Sequence, residues 1–440
     1  MLLSGGCERS PTLVEFSGRI MGTTFAVKVR SLPEGVARKS VAAAIRERLD
    51  EVNSKMSTYL PDSELSRFNT HAGTEWFPVS RETATVVATA LEVARQTGGA
   101  FDPTVGPLVD LWGFGPGGGR DRVPTDLAIA LRRALVGHDR VRVRDDGLAL
   151  RKAAADVRLD LSAIAKGYAV DRIVEYLSSL GIENHFVEIG GEIRATGEKA
   201  AGLSWRIAIE SPRREGRAAH AGSEFDLRDR AVATSGDYRN YRLVDDRSHT
   251  IDPRTGRPVT HRLASASVFA PTAMEADAWA TALMVLGPSE GYNLACERDL
   301  AALFILRAST RESSPQKSTP GESSTHDSGG SDFTEKRTPG LEGRLESSDD
   351  GGESAQGGST QGGSTLLNWT VFIGALFVFV GVVAAMSVGV IFGDRRIKGS
   401  CGGLETWRDE IGRPMCEACA DCPEKRLECE LEQAESQRRQ

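Results

Sequence analysis

The chain has 440 residues, 40% of them hydrophobic, and carries a formal net charge of −7. That length exceeds one average domain and favours two or more units. No extended basic stripe runs along it, which argues for no nucleic acid among its partners.

The seven cysteines are unevenly placed. Cys7 and Cys296 stand alone, whereas Cys401, Cys416, Cys419, Cys422 and Cys429 crowd the C-terminal end. A disulfide-stapled enzyme spreads its cysteines through the fold. Residues 12–308 do not follow that pattern, so they must stand on an apolar core, and they are numerous enough to build one.

In chain order, residues 14–30 alternate around Phe16, Phe25, Val27 and Val29 and read as strands. Val41, Ile45, Leu49 and Val52 recur at helical spacing. A second helix fits 81–97, ended by Gly98-Gly99. The run VRVRDDGLAL is a hairpin with Asp146-Gly147 at its turn. The strand DVRLDLS leads into a helix from Ala163 to Leu180, closed by Gly181. Strands HFVEIGG, EIRATG, WRIAIE, AVATSG and SASVFA follow. A helix from Ala273 to Leu286, another over 288–297 and a last strand LAALFIL complete the region. Hairpin-ordered strands with interspersed helices point to an α+β fold with mixed or antiparallel sheets. Residues 309–365 are Ser, Gly, Glu and Thr with almost no large apolar side chain. Such a stretch cannot offset its ordering entropy and reads as a disordered tether.

Four segments of residues 12–308 carry candidate chemistry. Ala100-Phe101-Asp102-Pro103 with Thr104-Val105-Gly106-Pro107 is a Gly/Pro-fixed loop after a helix. In LDLSAIAKGY, Asp160 ends a strand and a helix begins near Ser162. Its free N–H groups suit phosphate, with Lys166 one turn in. Standing alone, this segment reads more readily as an ordinary helix cap with a solvated lysine. His249 precedes the tight turn Asp252-Pro253-Arg254-Thr255-Gly256. A single His of this kind is more often structural than catalytic. Asp277 and Thr281 share one face of an otherwise apolar helix, a carboxylate and a hydroxyl that suit a hard cation such as Mg²⁺.

The order and wording of these segments resemble the ApbE family of flavin transferases. The resemblance rests on Met21-Gly22-Thr23, Met56-Ser57-Thr58-Tyr59, AFDPTVGPL, LDLSAIAKGY, Glu188-Ile189-Gly190-Gly191-Glu192, Thr234-Ser235-Gly236, HTIDPRTG and EADAWATALMVLG. It implies Mg²⁺-dependent transfer of FMN from FAD to a Ser or Thr hydroxyl of an acceptor protein. It further implies FAD contacts at Met21, Tyr59, Ala100, Phe101, Asp102, Asp160, Lys166 and Ile251. A metal site at Ala163 (through its carbonyl), Asp277 and Thr281 is implied as well, with His249 as the base. Some members carry a second Asp where this chain has Ala280. Two other readings use the same residues: an FAD pyrophosphatase with water as acceptor, and a non-catalytic, membrane-anchored flavin-binding scaffold.

Residues 366–392 form an uncharged apolar run, longer than the roughly 20 residues that span a bilayer. Arg395, Arg396 and Lys398 follow it at once. The positive-inside rule therefore predicts a single span of the bacterial inner membrane, with the enzyme periplasmic and the C-terminus cytoplasmic. LLSGGC is similar to the tail of a lipoprotein signal, with Cys7 as the lipidated residue, though Ser4 stands where Leu is usual. Otherwise the transmembrane helix itself helps the domain across. In the tail, 393–440, Cys416, Cys419 and Cys422 recur every third residue, and Cys401 lies just past the span. Such thiolates suit zinc or an iron centre alike. Span, basic flank, Cys401-Gly402-Gly403-Leu404 and clustered cysteines resemble the NqrM family. That resemblance implies iron as a possible cofactor of the tail. As partners it implies the Na⁺-translocating NADH:quinone oxidoreductase, with flavin acceptors among its subunits or those of the related Rnf complex.

Overall fold

The computed structural model describes residues 13–116, 123–210, 221–237, 248–308 and 333–346. Two strands open the fold, β1 (Val14–Ile20) and β2 (Thr23–Val29). Phe16, Ile20, Phe25, Val27 and Val29 point into the core, which is the alternation expected of a half-buried hairpin. Helices α1 (Arg38–Met56), α2 (Glu64–Thr70) and α3 (Arg81–Gln96) follow, with the short strand β3 (Phe77–Pro78) between the last two. Val41, Ile45, Leu49, Val52 and Met56 form the buried stripe of α1. The side chains of Ser63 and Ser80 cap α2 and α3.

The short helices α4 (Gly106–Leu111) and α5 (Asp126–Arg133) precede the hairpin β4 (Val141–Val143) and β5 (Ala149–Lys152). Its turn holds Gly147 at φ +67°, a left-handed conformation that glycine adopts without strain. Next come α6 (Ala165–Ser179), β6 (His185–Ile189), β7 (Glu192–Thr196), β8 (Trp205–Glu210), β9 (Ala221–Leu227) and β10 (Arg230–Gly236). The chain continues through β11 (Ile251–Asp252), β12 (Arg257–Pro258), β13 (Leu263–Ala270), α7 (Ala273–Glu297), β14 (Ala301–Arg307), β15 (Phe333–Arg337) and α8 (Pro339–Glu346).

The backbone of the fold is an eight-stranded sheet in the order β1-β2-β6-β7-β10-β13-β14-β15. Its neighbouring strands all pair antiparallel. Helices α1, α6 and α7 pack on one face, where Val187, Ile189, Ala231, Val268 and Phe304 join the main core, and α3 packs against α7. The β8–β9 hairpin covers part of the other face, with Trp205, Ile207 and Phe225 against Val232, Phe269 and Leu303. Strand β13 is therefore buried on both sides along its whole length, and it is built of small and apolar residues. The α+β expectation with antiparallel strands matches this architecture.

Two helical segments expected around 286–288 are also found. The run is continuous from Ala273 to Glu297, but Gly287 breaks it at φ +79° and ψ −173°, just before Pro288. One expectation is corrected. Residues 309–365 read as a disordered tether, yet β15 and α8 lie within that stretch. The edge of β14 supplies backbone partners from Leu303 to Arg307, and Leu341 fills the second core at 3% exposure. Two apolar anchors, Phe333 and Leu341, and an open sheet edge suffice to order a polar segment. No helix among the described residues is long and apolar enough to cross a membrane. The expected span at 366–392 and the tail cysteines Cys401, Cys416, Cys419 and Cys422 lie outside the described residues, as does Cys7.

Candidate active site

A cleft of about 580 Å³ opens between the N-terminus of α6, the start of β7, strand β8, the end of β10 and the body of α7. That volume is in the range of cofactor-sized pockets. The sheet and two loop motifs, distant in sequence, converge there.

The first loop follows α3, whose exit runs through Gly98 and Gly99 at φ +58° and +80°. Ala100 and Phe101 are then buried in the cleft wall. Asp102 also lines the cleft, but its carboxylate is occupied. Oδ1 accepts from the Thr104 N–H at 2.8 Å and the Thr104 hydroxyl at 2.6 Å, while Oδ2 accepts from the His138 N–H at 2.8 Å. Burial pushes the Asp102 pKa up against these donors. The second loop is tied to the first, because the Asp160 N–H donates to the Pro103 carbonyl at 2.7 Å. Asp160 Oδ1 accepts from the Ser162 N–H at 2.9 Å and also from the Ser162 hydroxyl. The expected strand over DVRLDLS is not formed; Asn69 fixes this segment instead, taking the Leu159 N–H at 2.7 Å and donating to the Leu159 carbonyl at 2.8 Å.

Helix α6 then carries Lys166 into the cleft. Gly167 allows α6 to meet α7 closely, since a Cβ there would lie 2.2 Å from the Ala273 carbonyl oxygen. Asp171, one turn on, accepts the Ala273 and Met274 N–H groups at 3.0 and 2.9 Å and pairs with Arg194 at 2.6 Å. It pins the N-terminus of α7 through orphan backbone donors. That anchorage fixes the placing of Asp277 and Thr281.

Lys166 Nζ lies 2.7 Å from Glu192 Oε1 and 3.5 Å from Asp277 Oδ2. Asp277 Oδ2 also accepts the Gly167 N–H at 3.1 Å. Burial works against the Lys166 charge, but Asp277 and Glu192 outweigh it and raise the pKa. Burial raises both acids in turn, with Lys166 opposing, and pushes Glu192 up to about 7. Thr281 Oγ1 shares a hydrogen bond with Ser235 Oγ at 2.9 Å. Ala163 lines the same wall. Among the described residues no three His, Cys, Asp or Glu side chains gather as a metal site. The trio Ala163, Asp277 and Thr281 offers one acid, one carbonyl and one hydroxyl, a hard-oxygen set that suits Mg²⁺ with phosphate and water completing its shell. Ala280, where some family members carry Asp, is fully buried here.

His249 faces the cleft beside Phe114, their ring centroids 6.4 Å apart. Its Nδ1 is buried without a hydrogen-bond partner among the described residues. Burial lowers its pKa, with Asp237 opposing, so the neutral imidazole is favoured. Ile251 is buried in the adjoining wall, and Tyr59, 65% exposed, stands in the cleft lining at its open side. Met21 does not line the cleft. It occupies the β1–β2 turn at φ +51° and packs against the main core. Ser235 and Glu192 were quoted in motifs without a role. The signal available was a polar residue at a strand end and an acid directly after Gly-Gly.

The ApbE family profile matches residues 21–304, which include every residue that lines the cleft. The chain belongs to the ApbE family. A relative from Vibrio cholerae, named FAD:protein FMN transferase, is 46% identical over 70% of this chain and 91% of its own length. The Haemophilus influenzae protein of the same name is 42% identical over 68% of this chain and 88% of its own. Among solved structures, the flavin transferase ApbE from Vibrio cholerae superposes with a TM-score of 0.66 at 41% identity, covering 76% of this chain and 99% of that one. The apo flavinyl transferase ApbE from Pseudomonas stutzeri gives 0.65 at 36% identity, covering 76% and 97%.

Proposed function

We propose that this chain transfers FMN from FAD to a Ser or Thr hydroxyl of an acceptor protein and releases AMP. The observation that carries the reading is a half-buried, neutral-leaning imidazole, His249, in one cleft with the Lys166 ammonium and the oxygens of Asp277 and Thr281. The printed names of the relatives agree with it. FAD is the substrate, held by Met21, Tyr59, Ala100, Phe101, Asp102, Asp160, Lys166 and Ile251. His249 removes the acceptor hydroxyl proton. The freed oxygen bonds to the FMN-side phosphorus, the anhydride bond breaks, and AMP leaves with the electron pair. Lys166 orients the pyrophosphate as a fixed positive charge. Ala163, Asp277 and Thr281 would hold Mg²⁺, which when bound neutralises phosphate charge.

Incubating the full chain with FAD, Mg²⁺ and an acceptor bearing a Ser/Thr flavinylation motif tests this. A fluorescent acceptor band with equimolar AMP supports transfer. Free FMN as the sole flavin product moves the assignment to FAD pyrophosphatase.

The remaining proposals rest on sequence features. A single span at 366–392 with Arg395, Arg396 and Lys398 inside places the enzyme in the periplasm and Cys401, Cys416, Cys419 and Cys422 in the cytoplasm, with Cys7 as a lipid site. The tail binds iron and serves the sodium-pumping NADH:quinone oxidoreductase, whose subunits, or those of Rnf, supply flavin acceptors. A phosphatase reporter after Thr365 checks the topology. Metal analysis of the anaerobically purified full chain and its cysteine variants checks the iron.

A further inference from the structure

The mechanism above leaves half of Glu192 unused. Glu192 opens β7 directly after Gly190-Gly191, lines the cleft and is 4% exposed. Oε1 accepts from Lys166 Nζ at 2.7 Å, whereas Oε2 is buried with no hydrogen-bond partner among the described residues. The turn beside it is kept bare. Gly190 has φ +66°, and a Cβ there would come within 3.4 Å of Glu192 Oε2 and 3.0 Å of Thr23 Cγ2. A buried acceptor left without a donor is unfavourable. At a ligand cleft, the donor that satisfies it can come from the ligand.

The chemistry of that donor is narrow. If Lys166 meets the pyrophosphate, Oε2 lies beside a group that has only acceptors. A carboxylate repels phosphate oxygens, so it must face the neighbouring part of the molecule. On both sides of the FAD pyrophosphate that part is a sugar chain rich in hydroxyls. We propose that Glu192 Oε2 accepts a hydrogen bond from a sugar hydroxyl of the bound dinucleotide, while Oε1 holds Lys166 against the pyrophosphate. This rests on the FAD reading above. Glu192 thus fixes the register of the substrate along the cleft, and the ribityl and ribose hydroxyls are its two possible donors.

The test uses the full chain, with binding measured by calorimetry in EDTA without acceptor. Glu192→Gln keeps an oxygen for Lys166 but replaces the charged acceptor Oε2 by an amide NH₂, so the sugar hydroxyl can only accept and the charge-assisted bond is lost. FAD binding should weaken about tenfold or more, as expected for loss of a hydrogen bond to a charged group. KM for FAD should rise more than kcat falls. FMN and ADP are run beside FAD. A penalty confined to FMN assigns the ribityl chain, and one confined to ADP assigns the ribose. Glu192→Asp, which keeps the charge but withdraws Oε2, carries the same test if the Gln variant does not fold. On a Lys166→Met background, Glu192→Gln should still weaken FAD, because the contact is direct. Parent-like affinity for all three ligands, or no added loss on the Lys166→Met background, overturns the proposal. A parent protein that binds no FAD removes the functional reading and this inference with it, a result distinct from either.

Discussion

The hydroxyls of Ser235 and Thr281 lie 2.9 Å apart, joining the end of β10 to the face of α7 that carries Asp277. Ser235 therefore orients a proposed metal ligand without being one. Outer partners of ligands commonly change metal affinity by about 10–100-fold. Ser235→Ala should raise the Mg²⁺ needed for half-maximal AMP release about tenfold, and Thr281→Val should raise it further. Calorimetric Mg²⁺ titration in the presence of FAD provides a second readout. Identical Mg²⁺ curves for parent and both variants would remove Thr281 from the metal site.

His249 sets the acid limit of the reaction. Burial holds its pKa below the ordinary value of about 6.5, so the base form persists to lower pH than for a free imidazole. Activity should rise with pH through a limb whose midpoint falls under that value. His249→Ala should erase the limb and lower turnover by about 10²–10⁴-fold, with FAD binding kept. The same shift has a stability sign. Between the folded pKa and about 6.5 the unfolded chain binds the extra proton, so His249 makes stability rise with pH across that window. An acid limb centred above 6.5, or a His249→Ala enzyme as fast as the parent, would count against the assignment.

Much of this site was legible because chemistry and punctuation coincide in the sequence. Gly98-Gly99 and Pro103 mark the first loop, and the step into α6 after Asp160 marks the second, although the strand read before it is not formed. Asp277 and Thr281 fall on one face of an unmistakable helix. The Lys166–Glu192–Asp277 cluster was not legible, because sheet order, not spacing, brings β7 beside α6. Asp102 illustrates the converse. Its motif marks it as a ligand contact, and its oxygens also fold the loop on Thr104 and His138, a second task the motif does not announce. The strand β15 escaped notice because its stability resides in the edge of β14, a property of the partner.

Gly167 tests how closely α6 and α7 must meet. A methyl group at this position would sit 2.2 Å from the Ala273 carbonyl oxygen and 2.8 Å from Met274 Cα, both backbone atoms that cannot step aside. The Gly167 N–H also donates to Asp277. Gly167→Ala should therefore destabilise the fold by about 1–3 kcal/mol or more. It should also shift Asp277 relative to Lys166, lowering turnover beyond what the lost stability explains. Chemical denaturation and steady-state kinetics below the melting range separate the two. A variant with parent stability would show that the helix pair slides at little cost.

Lys152 offers a test of what holds the site loop from behind. It is 1% exposed, and its ammonium donates to the carbonyls of Phe68, Asn69, Ala155 and Val157 at 3.1, 3.1, 2.9 and 3.4 Å. It thus ties the C-terminal end of α2 to the segment that leads into Leu159 and Asp160, and Asn69 completes the tie through Leu159. Lys152→Met keeps the stem volume and leaves the carbonyls without their donor, which should cost about 3 kcal/mol. Burial lowers the Lys152 pKa, with Arg158 adding to the effect and Asp156 opposing it. A depressed lysine binds its proton less tightly when folded. Its contribution therefore makes stability rise with pH from the folded pKa up to the free value of about 10.4. Denaturant titrations of parent and Lys152→Met across the alkaline range should give a stability gap that widens with pH. A gap that stays flat there means the lysine keeps its proton throughout, and a gap near zero at neutral pH means the carbonyl cluster does not need it.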